Sequence, residues 1–133
     1  MKKNQDLGLL ILRITIGGLM LFHGIAKLIH GIGGIQGMLA AKGLPSFIAY
    51  GVYVGEIIIP LLLIFGFRTR FAAIVFAFNM LVALFLAHSG DIFTLSKHGG
   101  WAVELIAFFM FGAIALFFTG SGQYALSNTN KWD

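Results

Sequence analysis

The chain has 133 residues, of which 59% are apolar and only 11% charged, with a mean hydropathy of +0.93. Ordinary soluble domains carry about a quarter charged residues, so the polar side chains here are too few to cover a water-facing surface. The net charge of +4 does not point to nucleic acid, because the Lys and Arg side chains sit mostly at the ends of apolar runs, where they set membrane orientation. The absence of cysteine removes disulfides, thiolate nucleophiles and thiolate metal ligands from this chain.

The first element is an apolar run from about Leu7 to Ile29. Lys2 and Lys3 precede it as in a signal peptide, but the run exceeds an h-region of about 7–15 residues and contains Arg13. It is expected to be an uncleaved first span. The Gly-rich stretch from Gly31 to Ser46 follows. Ile35, Met38, Leu39 and Leu44 give it an apolar side suited to a short surface helix, which its glycines weaken.

The second span is expected over 47–67, with Glu56 near its middle and Pro60 as a kink. Gly66–Arg70 is so short that the third span, 71–87, must return antiparallel. Asn79 on that span shares a face with Ala72 and Ala83, which suits an interhelical hydrogen bond. The loop from Ser89 to Gly100 is polar and irregular. The fourth span covers 101–119, and Ser127–Asp133 is expected to be a solvated tail. None of these runs alternates as a barrel strand does, and in lipid the backbone must satisfy its own hydrogen bonds. The expected fold is an all-α membrane protein, a single four-transmembrane-helix bundle over 1–133.

Lys2, Lys3, Arg68, Arg70 and Lys131 fall on one side of such a bundle, against Lys42 and Lys97 on the other. The positive-inside rule then puts the N- and C-termini in the cytoplasm. Tyr50, Tyr53 and Trp101 read as interfacial anchors.

Polar residues within the spans need partners, water or a ligand, since a mid-bilayer charge costs at least ~2.5–3.5 kcal/mol. They are Arg13, His23 and Lys27 on the first span, Glu56 on the second, His88 capping the third, and Glu104 on the fourth. At about 100° per residue, Arg13, Gly17, Met20, His23, Gly24 and Lys27 share a stripe expected to face the interior. His23, Lys27, Glu56, His88 and Glu104 are expected to converge on an outer-half pocket, with Arg13 nearer the cytoplasm. Two readings stand side by side. The charges balance and hold helices together, or they line a site for a small ligand, a quinone head group or protons. His88 and His98 are too loosely spaced to indicate a metal site.

LRITIGGLMLFHGIAKL in the first span, Gly55-Glu56, GFRTRFAA at Gly66–Ala73, Glu104 and the Gly120-Ser-Gly-Gln-Tyr-Ala-Leu-Ser127 ending together resemble the DoxX family of small four-helix membrane proteins. The ending differs in order, with Ala125-Leu126-Ser127-Asn128 where the family has a Ser-Leu-Asp type of motif. The resemblance implies a multi-pass protein of the inner (plasma) membrane tied to redox chemistry. The family's namesakes are linked with a thiosulfate:quinone oxidoreductase, and other members with oxidative-stress complexes. A membrane subunit of an oxidoreductase complex is therefore expected, with a quinone or another small ligand in the pocket and a redox partner subunit carrying the electrons. The sequence itself demonstrates no cofactor. A small-solute transporter and an assembly partner without chemistry are the alternatives. A homodimer through an outward Ala72–Phe76–Ala83 face would be a further partner.

Overall fold

A computed structural model describes residues 2–133. Helix α1, Gln5–His30, starts where the Asn4 side chain accepts from the Leu7 N–H at 3.0 Å. Helix α2 is Gly33–Ala41. Helix α3 is a continuous helical run, Ser46–Phe65. Helix α4 is Thr69–Ala87 and α5 is Glu104–Thr119. α1, α3 and α4 are long and apolar enough to cross a membrane, and α5 is shorter. No strand occurs among the described residues.

Gly66 ends α3 in the left-handed region at φ 71°. The Gly66 N–H donates to Leu63 O and the Phe67 N–H to Leu62 O, which closes the helix in a Schellman turn. The chain reverses there, so α3 and α4 form the antiparallel hairpin expected from the short connection. The end holding Asn4, this turn and Gly120 is called basal. The end holding α2 and the loop after α4 is distal.

α4 packs most extensively on α5, and α1 on the second half of α3. Ile16, Met20, Leu63, Phe76, Phe109 and Leu116 are among the buried core side chains. A smaller distal core joins Ile32, Leu39 and Ala49. Large apolar side chains such as Phe22, Phe108 and Phe118 remain exposed on the outside.

Four expectations change. Ala72 and Phe76 lie in the core and Ala83 lines an internal cavity, so the dimer face through them does not exist. The reason is the tight α4–α5 contact, which small residues favour on the buried side. α5 begins at Glu104, so this acid opens the helix instead of lying one turn inside it. α3 is not simply kinked at Pro60, because it holds a π turn, Val54–Ile58, just before it. The closing segment is solvent-exposed over 128–132 as expected, but it is not a free tail.

That segment folds across the basal end. The Leu126 and Ser127 N–H groups donate to Phe65 O and Gly66 O, and Trp132 O accepts from the Arg70 and Phe71 N–H groups. It therefore caps the end of α3 and the start of α4 at once. Three arginines clasp it. Arg13 donates to Tyr124 O, Arg70 to Phe117 O and Lys131 O, and Arg68 to Ser127 Oγ and Asp133 Oδ1. The Asp133 side chain is buried. Burial pushes its carboxyl up, but the Ser127 hydroxyl, the Asn130 N–H and Arg68 outweigh that and hold it at about 2. This lies below the ordinary value of 3.8. The carboxylate thus stabilises the fold above about pH 3.8, and that contribution is lost as pH falls toward 2. Asp133→Asn is expected to lower stability near pH 7 by about 1.5–3 kcal/mol and to remove this acid-dependent loss. Thermal unfolding in detergent between pH 7 and pH 2 checks both.

Candidate functional site

The site is built where α1 meets the first half of α3. In the π turn the Ile59 N–H reaches back five residues to Val54 O. Pro60 has no N–H, so the Glu56 carbonyl, four residues earlier, has no α-helical donor. Gly24 of α1 lies directly against that carbonyl, and a Cβ there would collide with it. Two turns earlier on the same face, a Cβ on Gly17 would lie 2.7 Å from Pro60 O. The absence of two side chains thus lets α1 seat against α3 at the widened turn. Lys27, one turn beyond Gly24, then reaches the Glu56 carboxylate at Nζ–Oε2 2.5 Å. Glu56 is 7% exposed and Lys27 30%. Tyr53 donates its hydroxyl to Lys27 O at 3.4 Å, which steadies the end of α1.

On its other side the π turn faces α4. Gly55 packs on Asn79, whose Cγ would be 2.5 Å from a Cβ at that position. Between α2, α3 and α4 lies a cavity of about 410 Å³. Its lining is mostly apolar, and its polar side chains are Lys27, Glu56, Asn79 and His88. This is the composition of small-molecule sites, which are largely apolar with a few placed polar groups. The ion pair offers one carboxylate and one cation, and Asn79 offers an amide to orient an oxygen.

The DoxX family model matches residues 8–89, from early in α1 to just past the end of α4. This chain belongs to the DoxX family. Among curated relatives, this DoxX protein is 34% identical over 84 residues to "Putative oxidoreductase CatD" of Bacillus subtilis, covering 63% of this chain and 62% of that one. It is 32% identical over 142 residues to "Inner membrane protein YqjF" of Escherichia coli, covering 99% of this chain and 100% of that one. An uncharacterized Haemophilus influenzae protein is 31% identical over 96% of this chain and 94% of its own length. No solved structure matches the chain. The matched family and the apolar helices make this DoxX protein a multi-pass protein of the inner membrane, with its exposed apolar flanks in contact with lipid.

Of the residues expected to form the pocket, the fold brings together Lys27, Glu56 and His88. His88 is at the distal end of α4, and its Nδ1 is 3.4 Å from Asp91 Oδ2. His23, Glu104 and Arg13 are elsewhere. His23 is exposed, with its ring edge-on to Phe109 at 6.4 Å. The reason is angular. His23 lies about 80° round the helix from Arg13, at the margin of the stripe, whereas Gly17, Met20 and Gly24 stay within about 40°. Glu104 is exposed beside Gly100. Arg13 is fully buried at the basal end against Gly66 and holds the closing segment.

Asn79 was expected to hydrogen-bond a neighbouring helix. It forms no such bond among the described residues and lines the cavity instead. A count along the hairpin would have found it. Glu56 is ten residues before Gly66 (66 − 56) and Asn79 eleven after Arg68 (79 − 68), so both lie at one depth.

Proposed function

We propose that this DoxX protein is the membrane subunit of an oxidoreductase complex and binds a quinone head group in the distal cavity. The observation that carries the reading is a close Lys–Glu pair in the wall of an otherwise apolar cavity. The relative named an oxidoreductase supports the redox class. Interconversion of quinone and quinol moves two electrons and two protons. A partner subunit supplies or takes the electrons. Glu56 exchanges one proton with the ring oxygen beside it, water exchanges the second with the other ring oxygen, Lys27 stabilises the negative charge that develops beside it, and Asn79 donates to hold the head group in place.

The basal end gathers Arg68, Arg70 and Lys131 with the closing segment and is taken as cytoplasmic. The cavity then lies in the outer half of the membrane. α5, at about 24 Å, makes the fourth crossing with the help of the residues that precede it.

Purified protein in lipid nanodiscs, titrated with a short-chain ubiquinone or menaquinone, tests the reading. Saturable binding is expected. Glu56→Gln should weaken it about tenfold, the worth of one charge-assisted hydrogen bond. His23→Ala should leave it unchanged, since His23 lies outside the cavity. No saturable binding of either quinone would overturn the proposal.

A further inference from the structure

The walls of the cavity differ in what lies behind them. Val54 on α3 and Phe78 and Val82 on α4 line it, yet they are 46%, 64% and 41% exposed on the outside of the bundle. They are the rim of a mouth between α3 and α4, and this mouth is on the apolar flank. On the distal side α2 covers the cavity, and the mouth runs on past Ile48 to His88, whose side chain is 44% exposed. Leu39 of α2 is 2% exposed and packs with Ile32 and Ala49, with Leu86 behind them. Toward the basal end the Gly55–Asn79 contact and the main core leave no way through.

We infer that the ligand comes sideways out of the bilayer, through the mouth between α3 and α4, and is a lipid-dissolved molecule with a small oxygen-bearing head and an apolar tail. The head meets Asn79 and the Lys27–Glu56 pair, and the tail runs out past Phe78 into the acyl chains. Valine and phenylalanine at the rim exchange lipid contacts for tail contacts at little cost. A water-soluble ligand would have only the His88 end of the mouth to enter by and would leave its apolar rim without a partner. The half-buried Asn79 amide adds a second argument. A polar group without a partner is costly in an apolar surrounding, and a head that brings an oxygen to it removes that cost. The inference rests on the reading of the cavity as a ligand site, but not on the ligand being a quinone.

The probe is a long-chain fatty acid bearing a diazirine next to its carboxyl group, dissolved in vesicles holding the intact protein. After illumination, adducts are mapped by mass spectrometry. Label is expected on Leu39 and Ala49, which line the cavity but are buried from the outside. Val82→Trp, which fills the mouth, should cut that label several-fold while leaving label on outward residues such as Phe108. Val54→Phe serves the same purpose if the first variant does not fold. The inference is overturned if Leu39 and Ala49 stay unlabelled. It is also overturned if mouth-filling variants label as the parent does, or if only a short, water-soluble diazirine acid reaches Leu39. Fatty-acid labelling without quinone binding would remove the quinone and keep the lateral mouth.

Discussion

Lys27→Met is expected to lower the stability of the detergent-solubilised protein by about 3 kcal/mol, the lower end of what breaking a buried ion pair costs. The lower end applies because Lys27 is 30% exposed. The loss arises mainly from Glu56, which is left ionisable and without its cation in a wall of apolar side chains. Replacing both partners, as Lys27→Met with Glu56→Leu, should recover most of the loss, because well-packed apolar residues often substitute for a buried pair without penalty. Thermal unfolding of the two single variants and the double variant forms a cycle that isolates the coupling. Additive losses would mean that the 2.5 Å contact carries no stability. The same double variant separates structure from chemistry. If it folds as the parent does and no longer binds quinone, the pair is more than helix glue. If it folds and binds, the pair has no part in the site.

A single methyl group at Gly24 is expected to have an effect of similar size. The Gly24 Cβ would meet the Glu56 carbonyl and carbon, which are backbone and cannot swing aside. Overpacking of this kind costs about 1–3 kcal/mol, and the rigid neighbour puts Gly24→Ala at the upper end. It would also push α1 off the π turn and so draw Lys27 away from Glu56. Gly18→Ala is the matched control. It lies on the same helix with nothing within 4 Å, so alanine should be neutral or add up to about 1 kcal/mol through helix propensity. Circular dichroism melting and quinone titration of both variants check the contrast. Equal melting points would show that α1 and α3 are not seated through Gly24.

The helices were legible because each is a long apolar run, and hydropathy alone separates them. The hairpin was legible because Gly66–Arg70 is too short for any other connection. That Lys27 and Glu56 find opposite charge was legible because charges in an apolar span must be matched. Less was visible where the backbone departs from a regular helix. Nothing in VGEII announces a π turn, since its composition suits an α-helix equally well. The role of Gly24 depends on which carbonyl lies opposite, and that follows from the π turn. His23 and Glu104 were grouped with the pocket by depth, but depth does not fix direction around a helix, and an error of about 80° is enough to face lipid. The anchoring of the closing segment was missed because its Ser, Asn and Lys residues have a solvated composition, which their exposure over 128–132 bears out. Its order comes from arginines far away in the sequence, which no local pattern reveals.

The π turn also divides α3 into two parts with different obligations. It contains one residue more than a regular turn of the same rise, so everything before Val54 is rotated by about 100° relative to where an unbroken α-helix would place it. The second half of α3 keeps its register with α1 through Pro60 and Gly17, while the first half packs with α2 and turns Gly55 toward Asn79. The insertion works as a phase shift between the joint of α1 on α3 and the distal chamber. Changes in length or sequence on the distal side of it are expected to alter the chamber while leaving the Gly17–Pro60 seat of α1 on α3 in place.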